Sequence, residues 1–246
     1  MKTKKEIVKD WITRYTGVKI ESLGSFILLT NFQKYVEEFA AYNKTKVDGV
    51  DKNMPSSTHK NITIINFGMG SPNAATVMDL LVAIKPKAVL FLGKCGGLKK
   101  RINLGDFVLP IGAIRGEGTS NDYFPIEVPA MPSFSLQRAI SSALKYQKVD
   151  YWTGTVFTTN RRVWEYDEKF KEYLKVIRAM AIDMETESST PPSTYWPHFR
   201  KEQVFLFGML ALILGTFFSF GWFHLGKFET TDEHLWKYDR IGQYWS

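Results

Sequence analysis

The run Ile62-Thr63-Ile64-Ile65-Asn66-Phe67 opens directly into Gly68-Met69-Gly70-Ser71-Pro72-Asn73. A strand this apolar is covered on both faces, and glycines at its end let the backbone turn sharply. Ser71 is placed to cap a helix with Pro72 at its first position, and Ala75, Met78, Leu81 and Val82 fall on one helical face. A second apolar run, Ala88 to Leu92, then enters Gly93-Lys94-Cys95-Gly96-Gly97. Strand, Gly-rich turn, helix and strand in this order predict parallel βαβ units. The expected fold class is therefore α/β.

The same alternation extends in both directions. Ser25 to Thr30 reads as a buried strand, Asn31 as the N-cap of a helix from Phe32 to about Asn43, and Val47 to Lys60 as a loop. Downstream, Asp106 to Arg115 and Thr153 to Thr158 read as strands, and Ser135 to Tyr146 as a helix. A charged helix is expected from about Glu165 to Leu174, and Val176 to Ile182 as a further strand.

Near Ser188 the pattern changes. Thr190-Pro191-Pro192-Ser193 has linker composition, and the run from Val204 to Leu225 contains no Asp, Glu, Lys or Arg. About 20 apolar residues in a helix cross the hydrocarbon core of a bilayer. The expected organisation is an α/β domain over 1–187, a Pro-rich junction over 188–203, a transmembrane helix over 204–225 and a polar aromatic tail over 226–246. Arg200 and Lys201 flank the run, which by the positive-inside rule keeps the first domain cytoplasmic and sends the tail outward. The start of the chain, Met1-Lys2-Thr3-Lys4-Lys5, leads into Glu6 and Asp10 rather than an apolar signal segment.

A net charge of +7 suits an anionic ligand or a membrane surface. The basic runs Lys99-Lys100-Arg101 and Arg161-Arg162 are too short and separate to imply nucleic acid. A single cysteine, Cys95, excludes an intramolecular disulfide framework, and His59, His198, His224 and His234 lack metal-ligand spacing. No cofactor is expected.

Both Gly-rich turns lie where ligands bind in open α/β sheets, at the carboxyl ends of strands. Lys94 adds a positive charge suited to phosphate, and Arg115 beside Thr119 and Ser120 is a second anion-gripping candidate. Phe157 is a candidate for packing on a flat base, or a core aromatic. In Ala181-Ile182-Asp183-Met184-Glu185-Thr186, strand alternation points both carboxylates to one face, and Glu185 has the right fork for two adjacent sugar hydroxyls.

Taken in order, INFGMGSPNAATVMDLL, FLGKCGGLKK, LGDFVLPIGAIRGEGTSNDYFP, EVPAMPSFSLQ, GTVFTTNRRVWE and AIDMET resemble AMP nucleosidase in its short bacterial form. That family falls within the nucleoside phosphorylase and nucleosidase superfamily, and the likeness covers about 1–187. It implies a three-layer α/β/α domain with a twisted mixed central sheet, a homo-oligomer that is commonly a hexamer, and hydrolysis of AMP to adenine and ribose 5-phosphate. It places Glu185 as the catalytic carboxylate on the ribose hydroxyls, Met184 and Met69 against the ribose, and Phe157 on the base. In phosphorylase relatives an Arg and a Ser hold free phosphate where this chain has Phe91 and Lys94. The nucleotide 5′-phosphate is accordingly assigned to Lys94, Arg115 and Arg161.

The family's acid, an Asp in a Ser-Asp pair that protonates the purine, is expected downstream of the Met-Glu motif. No such pair follows Glu187. The residues from Thr231 to Arg240 instead resemble the start of a polyprenyl-phosphate mannosyltransferase-type membrane protein. The expectation is a C-terminally incomplete nucleosidase domain, from a fusion or chimera of two reading frames, with impaired activity. The alternatives are a non-catalytic purine-nucleotide-binding or misfolded remnant and a purine nucleoside phosphorylase.

Overall fold

A computed structural model of the chain describes residues 4–186. The expected junction, the 204–225 run and the mannosyltransferase-like tail lie outside those residues. No described helix is long and apolar enough to cross a membrane. The described residues form two compact units, one of 4–94, 117–125 and 184–186, the other of 95–116 and 126–183.

The first unit opens with helix α1, Lys4–Thr16, which the sequence reading did not anticipate. Its buried stripe is narrow: Val8, Ile12 and Thr16 recur every fourth residue, and Thr16 Oγ1 satisfies itself on the Ile12 carbonyl at 2.7 Å. Strand β1, Phe26–Thr30, is buried at every position because it lies between two parallel neighbours. Helix α2, Gln33–Asn43, buries Val36, Phe39 and Ala40. Its N-cap is Phe32 rather than Asn31, and the Phe32 amide donates to Thr30 Oγ1 at 3.2 Å.

The predicted loop over 47–60 contains strand β2, Ser56–His59, antiparallel to β3, Ile62–Asn66. Its polarity hid it: Ser57 Oγ donates to the Lys46 carbonyl at 2.9 Å, Thr58 and Thr63 share a bond of 2.8 Å, and the buried Ser56 Oγ has no partner among the described residues. Helix α3, Ser71–Leu81, and strand β4, Ala88–Leu92, complete the unit, giving the strand order β2-β3-β1-β4. Of the predicted inner face of α3, Ala75, Met78 and Leu81 are buried and Val82 is half-buried. The β1-to-β3 and β3-to-β4 crossovers run in opposite directions along the sheet, and right-handed connections of that kind carry α2 and α3 to opposite faces.

The second unit has β5, Gly96–Gly97; β6, Phe107–Gly116; α4, Phe134–Tyr146; β7, Tyr151–Thr159; α5, Glu168–Val176; and β8, Ala181–Asp183. The strand order is β5-β8-β7-β6, with only β5 antiparallel to its neighbour. A bulge between Pro110 and Gly112 interrupts the β6–β7 register. Asp167 caps α5 by accepting from the Phe170 amide at 3.0 Å, so the helix starts after the predicted Glu165. The last strand occupies only the end of the predicted 176–182 stretch.

The α/β class therefore stands as a mixed fold, with one difference. The described strands hydrogen-bond as two four-stranded mixed sheets, not as one central sheet.

Candidate active site

In the first unit, the carboxyl ends of three parallel strands share one edge. β1 runs into Asn31-Phe32, β3 into Phe67-Gly68-Met69-Gly70, and β4 into Gly93-Lys94. Such an edge is where parallel α/β sheets bind ligands.

The Gly68-Met69-Gly70 turn is pinned from both sides. Asn66 Oδ1 accepts from the Gly68 amide at 3.0 Å, and Asn73 Nδ2 donates to the Met69 carbonyl at 2.9 Å. Gly70 sits at φ 93° and ψ 153°, a backbone region that side chains other than glycine's strongly disfavour. That conformation aims its amide at Glu185, whose Oε1 accepts at 2.9 Å. Next to it, Ser71 Oγ donates to the Met184 carbonyl at 2.8 Å. Ser71 is thus not the predicted helix cap; Gly70 holds that position and the hydroxyl fastens the Met-Glu segment.

Three expected sugar-side residues, Met69, Met184 and Glu185, are brought together by these bonds. Glu185 is 2% exposed and Met69 is 58% exposed, so the carboxylate is set in the wall while the thioether is open to a ligand. The alternation argument for Asp183 and Glu185 fails, because the strand ends at Asp183 and the next residues form a bend. Asp183 instead accepts from the buried Thr158 hydroxyl at 3.0 Å in the second unit.

Lys94, on the same edge of the first unit, is exposed, with its Nζ 4.6 Å from the Phe32 ring centroid and 5.9 Å from that of Tyr35. Burial, and then the Glu38 carboxylate, push the Tyr35 hydroxyl up to about 12, so it stays a neutral phenol. Burial also raises Glu38 above the usual carboxylate range, against the pull of Lys34 and Lys94. Asn31 Oδ1 and Glu38 Oε2 are buried with no hydrogen-bond partner among the described residues.

The other expected site residues belong to the second unit. Arg115 donates to the Val128 carbonyl at 2.9 Å. Arg161 donates to Asp167 at 2.8 Å and lies 4.8 Å over the Phe170 ring, so its charge is already matched by a carboxylate. Phe157 is 4% exposed and packs with Leu98, Trp164, Leu174, Ala179 and Ile182. Its edge-type contacts with Phe170 and Tyr173, at 5.7 Å and 5.9 Å, tie it to the aromatic cluster of that unit. Among the described residues no group of three or more His, Cys, Asp or Glu is placed to hold a metal ion.

A Gly-Met-Gly turn that grips a Met-Glu segment at the carboxyl edge of parallel strands marks the candidate site of this mixed α/β fold. The family description "Phosphorylase superfamily" matches residues 26–188, and the chain belongs to that superfamily. Within it the domain is AMP nucleosidase-like. A crystal structure of AMP nucleosidase from Bacteroides thetaiotaomicron is 52% identical, with a TM-score of 0.78 over 86% of this chain and 97% of that one. AMP nucleosidase of Escherichia coli is 28% identical over 222 residues, 71% of this chain and 46% of its own length. The chain thus spans about half the length of the curated relatives it matches. A uridine phosphorylase structure from Vibrio fischeri, 19% identical with a TM-score of 0.63, covers 81% of this chain and 92% of its own and shares the fold.

Proposed function

We propose that this chain acts on AMP as an N-glycosyl hydrolase, releasing adenine and ribose 5-phosphate. The observation that carries the reading is the Glu185 carboxylate held by the Gly70 amide at 2.9 Å, beside the exposed Met69, in a domain 52% identical to an AMP nucleosidase. Glycosidic cleavage leaves positive charge on the ribose and negative charge on the departing purine. A buried carboxylate on the sugar hydroxyls stabilises the first, and an acid at the purine must neutralise the second. Glu185 takes the sugar role, Met184 and Met69 flank the ribose, and Lys94 takes the 5′-phosphate. Arg115 and Arg161 are already engaged by Val128 and Asp167, so phosphate recognition is assigned to Lys94.

A second reading is a purine-nucleotide binder of low turnover. It is favoured by the sequence after Thr186, which contains no Ser-Asp pair to supply the purine acid. Assembly into a homo-oligomer and membrane attachment through 204–225 belong to the proposal for the full chain.

The test is adenine release from AMP by the purified full chain, with and without inorganic phosphate. Phosphate-independent release supports the hydrolase. Calorimetric binding of AMP without turnover supports the binder. Phosphate-dependent cleavage of adenosine overturns both in favour of a nucleoside phosphorylase.

A further inference from the structure

We infer that Phe32, backed by Tyr35, is a positioning residue that holds the Lys94 ammonium for a nucleotide phosphate and so sets a preference for nucleoside 5′-monophosphates over nucleosides. The inference rests on the nucleotide reading above.

The sheet register creates the pairing. Thr30 of β1 lies opposite Leu92 of β4, so two residues further along each strand bring Phe32 beside Lys94. Phe32 is fixed at its backbone by Thr30 Oγ1, which is fully buried. Its ring stands 5.5 Å from that of Tyr35, tilted by 57°, and the two form a platform under the ammonium. One turn of α2 further on, the Glu38 carboxylate adds attraction without forming an ion pair with the lysine.

Other cations in the chain also lie over rings, for instance Arg101 over Trp152 and Arg138 over Phe134. Lys94 differs in sitting over two rings at the carboxyl edge of parallel strands. It also differs from Arg161, whose charge is neutralised by Asp167. A ring face holds an ammonium electrostatically without consuming its N–H donors or cancelling its charge. The three N–H groups remain available for anionic oxygens. A flexible four-carbon stem is thereby localised before the ligand arrives, which lowers the ordering cost of binding.

The experiment is calorimetric titration of the full chain with AMP and with adenosine, for wild type, F32L, F32M, F32Y, K94M and the F32L/K94M double variant. F32L and F32M both keep an apolar side chain, so one remains informative if the other misfolds. Loss of the ring is expected to weaken AMP by about 3- to 30-fold while adenosine stays within about twofold, with F32Y close to wild type. In the K94M background, F32L is expected to cause no further loss. Equal weakening of AMP and adenosine by F32L overturns the inference, as does an undiminished F32L effect in K94M. Wild-type protein that binds neither compound overturns the nucleotide reading itself. Wild-type protein that binds both equally leaves that reading's ribose half standing and overturns the phosphate assignment.

Discussion

Replacing Gly70 by alanine tests whether the turn's backbone, rather than its openness, builds the site. A Cβ added there meets Pro72 Cδ at 3.7 Å, an ordinary contact, so the substitution creates no clash. The cost is conformational: φ 93° with ψ 153° is a region of backbone space worth about 1–3 kcal/mol of strain to a side chain. For a domain of this size, that lowers Tm by roughly 2–12 °C. A turn that relaxes to avoid the strain swings the Gly70 amide away from Glu185 and removes a hydrogen bond to a buried carboxylate. Bonds to charged groups contribute about 1.5–3 kcal/mol, so AMP affinity is expected to fall by about tenfold or more. Thermal melts followed by AMP titration read both effects. A G70A protein that melts with wild type and binds AMP equally well would refute the reasoning.

Other expectations follow from single contacts. Glu185→Gln keeps the shape and removes the charge, and adenine release from AMP is expected to drop by about 10- to 100-fold, with a smaller loss on 2′-deoxy-AMP; equal losses contradict the ribose assignment. Burial raises the Glu117 carboxyl, but bonds from Ser120 and Thr119 outweigh it, so the group stays below the ordinary range. Its stabilisation is therefore complete above about pH 4.3 and fades as pH falls through the depressed value, so melts of E117Q and wild type should differ at neutral pH and converge in acid. Leu81, 0% exposed on α3, should cost about 2–5 kcal/mol as alanine, read from the urea midpoint.

The segments legible in the sequence are those whose residues form a continuous apolar run. Strands β1 and β3 were evident because they are buried along nearly their whole length, and β4 because all five of its residues are apolar although only Ala88 is fully buried. Helix α1 and strand β2 were not, since each buries hydroxyls that satisfy themselves locally, at Thr16 and at Ser57, and so break the apolar pattern. The cap residues were misplaced by one position for a related reason. Thr30 and Ser71 carry the hydroxyls, but one serves the preceding turn and the other a distant carbonyl. In the site, Met69, Met184 and Glu185 came from motif likeness, whereas Asn66, Asn73 and Ser71, which hold them, carried no signal of their own. Phe157 shows the converse: an aromatic near a strand end has the same sequence appearance in a pocket or in a core, and only packing distinguishes them.

The bond between Gly70 and Glu185 joins positions 115 residues apart. During synthesis at about 5–20 residues per second, the amide half of the site leaves the ribosome some ~6–23 s before its carboxylate. The glycine turn must wait through that interval with its amide facing water, and the strands β1, β3 and β4 can pair well before it is used. The candidate site is therefore completed late, after the first sheet has its strands. A defect near Met184 is expected to leave a folded first sheet without a finished site.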